Sequence, residues 1–243
     1  MASLANTPTK PTKDIDKHSA EKKTEALKSE LFDLQSLLFA ENKHSLLIIL
    51  QGLDAAGKDG TIRHVFSAIN PMGVNVKAFK APTAEELAHD FLWRVNLHTP
   101  AKGMIEIFNR SHYEDILVPT VHKTLPKDEI EKRYDIINSF EKNLTANGTL
   151  ILKFFLHVSA KEQAERIKER LTVPNKKWKY DPADTRESPN RNKYLEVYET
   201  IFKKCGPKLP WHIVPADKKW YRNYFIAKTI VDTLKGLKMK YPS

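Results

Sequence analysis

The stretch SLLIILQGLDAAGKDGTI, from Ser45 to Ile62, reads as a buried strand, a glycine turn and the opening of a helix. Ser45–Leu50 is an unbroken apolar run, as expected of a strand covered on both faces. A helix is expected from about Lys58 to Ile69, ending before Pro71. The chain has only 8 glycines in 243 residues, and Gly52, Gly57 and Gly60 all fall in this one turn. Backbone freedom has been concentrated there.

Successive backbone N–H groups in such a turn can wrap phosphate oxygens, and the helix N-terminus adds favourable polarity. Ala55, Ala56, Gly57, Lys58, Asp59 and Gly60 are therefore candidate phosphate contacts, with Lys58 able to reach a phosphate in transfer. The general pattern would put Ser or Thr after the lysine, whereas here Asp59, Gly60 and Thr61 follow. Asp54 lies inside the loop, where a carboxylate repels phosphate unless a divalent cation sits between them. It is a candidate Mg²⁺ ligand. The simpler alternative is a strand-to-helix turn with no ligand; the strand context and Lys58 together favour phosphate binding over it.

Working outward, Val74–Phe79 and Met104–Phe108 read as further strands, with Thr83 and Glu86 forming a capping box for a helix through Trp93. A helix over Asp128–Asn147 stops at Gly148. Thr149–Val158 is a buried strand, and Ser159 with Glu162 caps a helix to Leu171. Residues 172–192 lose periodicity and carry Pro174, Pro182 and Pro189. Helix resumes to about Lys204, Trp211–Val214 is a fifth strand, and Lys218–Lys238 closes the chain as a helix. Upstream, Leu27, Leu31, Leu34, Leu37 and Leu38 mark an amphipathic helix over Ser19–Asn42. Strands alternating with helices predict an α/β fold, a three-layer sandwich on a five-stranded, parallel, doubly wound sheet. Residues 1–18 are expected as a flexible arm and 19–243 as a single domain.

The third strand runs into Asn109-Arg110-Ser111-His112-Tyr113-Glu114-Asp115. In nucleotide-binding sheets this position delivers a metal-linked acid; Asn109 can offer only a neutral oxygen. Arg110 can stabilise charge on a transferring phosphoryl group. An ordinary surface turn with an exposed arginine is the competing reading.

Lys plus Arg total 40 against 30 for Asp plus Glu, a net charge of +10, which favours a polyanionic partner. A single cysteine, Cys205, excludes an internal disulfide. No apolar run approaches the ~20 residues of a membrane span. Residues 1–18 hold no apolar core of an export signal, so the cytoplasm is the expected location. None of the nine histidines shows a zinc-like spacing.

The runs GLDAAGKDGTI, FNRSHYED, KFFLHVSAKEQ, NKKWKY and WHIVPADKKWYRN, in this order along Leu46–Leu237, resemble the polyphosphate kinase 2 family. Asn109 departs from the aspartate of many members, and its FNRSHYE context resembles the subgroup that phosphorylates both AMP and ADP. The resemblance implies a P-loop kinase-like fold with a helical lid, here residues 161–193. It implies transfer of a terminal phosphoryl group from inorganic polyphosphate to adenine nucleotides, with guanine nucleotides as further acceptors, using Mg²⁺ or Mn²⁺. By position, Asp54 would hold metal, with Asn109 a weaker or water-mediated participant, while Lys58 and Arg110 would grip the group in flight. Arg63 would touch donor phosphates or lie on a solvated helix face. The lid carries ten basic residues against six acids; Arg170, Lys176 and Lys179 are the expected polyphosphate contacts. Lys80 and Arg94 would line the acceptor site, and Glu114 and Asp115 would position the acceptor nucleotide, a second metal, or nothing. The resemblance also implies a homodimer or homotetramer, with no nucleic-acid or membrane partner. An ATP-dependent nucleoside monophosphate kinase is the alternative, which Asp54 and Asp59 fit less well. A basic nucleic-acid-binding module would leave the loop without a role.

Overall fold

The central strand, β1 (Ser45–Gln51), is buried at every position. Around it, β2 (Val74–Ala78), β3 (Ile105–Asn109), β4 (Thr149–His157) and β5 (Trp211–Pro215) complete a five-stranded sheet in the order β2-β3-β1-β4-β5. Every pairing is parallel. The computed structural model describes residues 3–242, the side chains of Ala183 and Asp184 apart. Met1, Ala2 and Ser243, the outer ends of the expected arm and domain, lie outside the described residues.

The helices are α1 (Lys17–Glu41), α2 (Lys58–Val65), α3 (Ala84–Ala88), α4 (Trp93–Asn96), α5 (Glu114–His122), α6 (Lys127–Ala146), α7 (Ala160–Thr172), α8 (Pro182–Glu187), α9 (Arg191–Cys205) and α10 (Lys219–Gly236). Successive strand residues point to opposite faces, so β1 feeds two cores. Leu46, Ile48 and Leu50 pack with Leu31 and Leu38 of α1 and Ile226, Ile230 and Leu234 of α10. Leu47 and Ile49 pack with Ile116 of α5, Ile137 of α6 and Ile201 of α9. The expected three-layer sandwich is formed. Among the described residues no helix is long and apolar enough to cross a membrane.

Several local expectations change. The capping box at Thr83 is present, yet the helix behind it breaks. The Asp90 carboxylate accepts from the Leu92 N–H at 3.0 Å and turns the chain before α4. Helix α5 carries no periodic signal and has Pro119 in its interior. Proline cannot donate to the carbonyl four residues back. That carbonyl, on Asp115, instead accepts from Arg133 Nη1 at 2.7 Å. The aperiodic stretch 172–192 holds a 3-10 turn over Pro174–Lys179, α8, and another over Ser188–Asn190. Its three prolines all open these elements, where a missing N–H costs nothing.

Residues 3–16 do not stand apart as an arm. Leu4 is 1% exposed and joins the core beneath α9. Its N–H donates to Glu199 at 2.6 Å and its carbonyl accepts from His157 Nε2 at 3.0 Å. Thr9 binds Asp217 through both backbone and side chain. One fully buried leucine and the hydrogen bonds of Thr9 and Thr12 dock the segment. Leu4→Ala is expected to cost about 2–4 kcal/mol in urea unfolding; a cost near zero would show that the segment does not pack.

Candidate active site

The turn after β1 departs from ordinary backbone at Ala55 (φ +58°) and Gly57 (φ +108°). The left-handed region costs a non-glycine residue on the order of 1–3 kcal/mol, so Ala55 must be held by its surroundings. The holding is visible carbonyl by carbonyl. Lys58 Nζ donates to the carbonyls of Gly52 (2.7 Å) and Leu53 (3.3 Å). Gln163 Nε2 donates to that of Asp54 (3.0 Å). Arg166 Nη1 reaches those of Ala55 (3.1 Å) and Ala56 (2.9 Å), and the Thr61 N–H takes Gly57. Every carbonyl from Gly52 to Gly57 thus has a donor, which leaves the loop's N–H groups, that of Ala56 apart since it donates to the Leu53 carbonyl at 3.1 Å, as the face it turns to a ligand.

Beside the loop, at the end of the neighbouring strand β3, Arg110 is also left-handed (φ +64°). Its guanidinium pairs with Asp54 at 2.9 Å, and Asn109 Nδ2 donates to Asp59 at 2.7 Å. Burial pulls the Lys58 pKa below its ordinary value, with Arg110 adding to the effect. Burial works against the charge of Arg110 as well, but Glu114 and Asp54 outweigh it and hold that guanidinium above its usual value. Glu114 is pushed up by burial, against the pull of Arg110 and Lys58. These charges form one coupled group.

The loop, β3, α7 and the 3-10 turn after α7 enclose a cleft of about 530 Å³. Ten basic residues line it (Lys58, Arg63, Lys80, Arg110, Arg166, Arg170, Lys176, Lys179, Lys219 and Arg222) against four acids, Asp54, Asp59, Glu169 and Asp181. Arg222 is 2% exposed, and its side chain's hydrogen-bond acceptor is the neutral Asn223 Oδ1. Burial and then Arg166 pull its pKa below the ordinary arginine value. A cleft built this way binds polyanions.

The descriptive match to known proteins agrees. The family model for polyphosphate kinase 2 matches residues 14–242. The chain belongs to the polyphosphate kinase 2 family. It is 48% identical over 217 residues to the AMP/ADP-polyphosphate phosphotransferase of Meiothermus ruber, covering 89% of this chain and 81% of that protein. The ADP-polyphosphate phosphotransferase of Rhodopseudomonas palustris is 44% identical over 225 residues, covering 87% and 78%. The crystal structure of polyphosphate kinase 2 from Arthrobacter aurescens TC1 superposes with a TM-score of 0.97 at 41% identity, covering 100% of this chain and 88% of that one.

In this polyphosphate kinase 2 fold, thirteen of the expected residues line the one cleft: Asp54, Ala55, Gly57, Lys58, Asp59, Gly60, Arg63, Lys80, Asn109, Arg110, Arg170, Lys176 and Lys179. Ala56 lies behind the loop, fully buried. The group expected at the acceptor divides. Arg94 binds Asp115 at 3.0 Å and the Lys80 carbonyl at 2.9 Å, so those two side chains brace each other. Glu114 instead faces Lys58, Arg110 and Asp54. Sequence reasoning passed over Gln163, Arg166, Lys219 and Arg222 as site residues. Gln163 and Arg166 lie three apart on one face of α7, a spacing visible in KEQAERIKER. Arg222 falls in the run WHIVPADKKWYRN, but its place beside the loop depends on the packing of α10.

A Cβ on Gly57 would collide with Arg222 Nη1. Gly57→Ala is therefore expected to weaken tripolyphosphate binding at least tenfold (about 1.4 kcal/mol) in isothermal titration. Unchanged affinity would show that the loop and Arg222 do not build the anion site together.

Proposed function

We propose that this cleft moves the terminal phosphoryl group of inorganic polyphosphate to AMP and to ADP, giving ADP and ATP, reversibly and by direct in-line transfer. The observation that carries the reading is the excess of ten bases over four acids around a loop whose carbonyls are all engaged. Polyphosphate offers charge at every repeat and no bases to read, so such a surface is adequate recognition. Family membership and the dual-acceptor name of the Meiothermus ruber relative favour it over an ATP-dependent nucleoside monophosphate kinase.

An acceptor phosphate oxygen attacks the terminal phosphorus of the chain, and the bond to the bridging oxygen breaks, leaving a donor shorter by one unit. The transfer needs alignment and charge neutralisation more than covalent help. The N–H groups of Ala55, Gly57, Asp59 and Gly60 cradle the donor's end, with Ala56 behind them donating its N–H to the Leu53 carbonyl, and Lys58 and Arg110 hold the group in flight. Arg63, Arg170, Lys176 and Lys179 track the chain. Lys80 and Glu114 line the acceptor side, with Arg94 and Asp115 bracing the wall beside them. Closure of the lid excludes water and so suppresses hydrolysis of the donor.

Among the described residues no three His, Cys, Asp or Glu side chains group as a metal site. The carboxylates Asp54 and Asp59 nevertheless line the cleft around Lys58. One or two protein carboxylates with phosphate oxygens completing the shell is the donor set that Mg²⁺ or Mn²⁺ takes beside phosphates. Asp54 would hold it, with the Asn109 carbonyl oxygen as a weaker or water-mediated partner, since the Asn109 amide nitrogen is engaged by Asp59. A divalent ion there would neutralise charge on the transferring group.

We place the reaction in the cytoplasm, in a homodimer or homotetramer. Guanine nucleotides are further acceptors, and nucleic acid and membrane are not partners. The test is nucleotide analysis after mixing the protein, Mg²⁺ and long-chain polyphosphate with AMP or ADP. Both ADP and ATP are expected from AMP, and Lys58→Ala is expected to lower kcat at least a hundredfold, about 2.7 kcal/mol. Product only when ATP is the donor would overturn the reading.

A further inference from the structure

Between Asn109–Arg110, which line the cleft, and Glu114, which interacts with Arg110 and Lys58, the chain buries three consecutive polar residues. Ser111, His112 and Tyr113 are each 0% exposed. Ser111 is tied to the end of β1, where Gln51 Nε2 donates to its hydroxyl at 3.1 Å. His112 and Tyr113 turn the other way, into the layer between the sheet and α6. There they meet a charge that phosphate chemistry does not use. The Glu141 carboxylate, 1% exposed, accepts from the Tyr113 hydroxyl at 2.7 Å, from His112 Nε2 at 3.3 Å and from Lys153 Nζ at 2.7 Å. Because its neighbour is a carboxylate, His112 Nε2 carries the proton. Lys153, fully buried in the middle of β4, also donates to the Tyr113 hydroxyl (3.0 Å) and to the Cys205 carbonyl at the end of α9 (2.7 Å). Four elements meet at one buried polar hub.

A buried ion pair is weak support for stability, since well-packed apolar residues of similar volume often do as well or better. Its cost calls for another account, and the backbone supplies one. Arg110 is left-handed, a conformation an arginine holds only when its surroundings over-determine it. On its N-terminal side, the Arg110 N–H donates to the Leu50 carbonyl at 3.0 Å. On its C-terminal side, the anchor is the hub that grips His112 and Tyr113.

We propose that Glu141, Lys153 and Tyr113 are positioning residues for phosphoryl transfer. They act by pinning the turn that presents Arg110 and Glu114, and they never touch the substrate. This rests on the role assigned above to Arg110. It accounts for a charged pair at the centre of the molecule, and it separates the hub from the cleft: losing it disturbs the alignment of the transferring group but leaves the donor-binding face of the lid intact.

The decisive variant is the double replacement Glu141→Leu/Lys153→Met, which removes both charges together and leaves neither stranded. It is expected to unfold cooperatively near the parental temperature and to keep KM for polyphosphate and nucleotide within about twofold. Its kcat is expected to fall at least tenfold, about 1.4 kcal/mol. Amide exchange should rise at residues 110–114 and not in β1 or α10. Tyr113→Phe deletes one hydroxyl and leaves the ion pair; it is expected to fold and to show the same split between kcat and KM in milder form. Parental kcat in a folded double variant overturns the proposal, and so does parental kcat in Tyr113→Phe should the double variant not fold. Arg110→Ala run in parallel separates the two claims. If it retains parental kcat, the role of Arg110 falls and the hub proposal with it. If it is crippled while the hub variants are not, the hub proposal alone falls.

Discussion

A peptide loop that is to hold phosphate must first hide its own negative ends. Between Gly52 and Gly57 each carbonyl is taken by a donor from Lys58, Gln163, Arg166, Ala56 or Thr61. Much of the rest follows from that requirement. Gln163 and Arg166 belong to α7, so the first half of that helix is bonded to the back of the loop. Arg166 Nη2 also reaches the carbonyls of Ala216 and Asp217 after β5 (2.7 and 3.2 Å), which ties the far side of the sheet to the same point. Arg191, opening α9, donates to Gln163 Oε1 and to the Val158 carbonyl. Helices α7 and α9 are thus joined to each other directly behind the loop.

The same arrangement crowds cations. Lys219 is pulled below its ordinary pKa by burial and by Arg166, and Arg222 suffers likewise. Glu169 relieves part of this through Lys176, at 2.6 Å. A polyanion entering the cleft would bring the missing counter-charge, and its effect is strongest where water has been driven out.

The fold was legible because its signals are local. Burial on both faces makes SLLIIL and TLILKFFLHV unbroken apolar runs, and the glycines mark the loop. What stayed hidden depends on distant partners. Helix α5 has no periodic pattern, and its proline is tolerated only because Arg133, on α6, serves the freed carbonyl. Ala55 and Arg110 adopt positive φ where sequence reasoning looks for glycine. Lys153 sits inside an apolar strand, and nothing near it in sequence names Glu141 as its partner. Of the site, the loop and the Asn109–Arg110 pair could be read directly. The braces behind them could not, because Arg166 and Arg222 look like any other lysine- or arginine-rich surface until packing turns them inward.

The docked amino-terminal segment sets an order of events during synthesis. Leu4 and Thr9 leave the ribosome well before their partners Glu199 and Asp217, which lie 195 and 208 residues further along the chain. Thr12 waits still longer, for the Tyr221 hydroxyl 209 residues away. Contacts of such separation form only after the intervening chain has closed on itself. These residues are thus made early and settle late, and their settling against β4, α9 and α10 acts as a closing clasp. A chain that ends before Glu199 has no such clasp, and its Leu4 lacks the partner that takes its N–H.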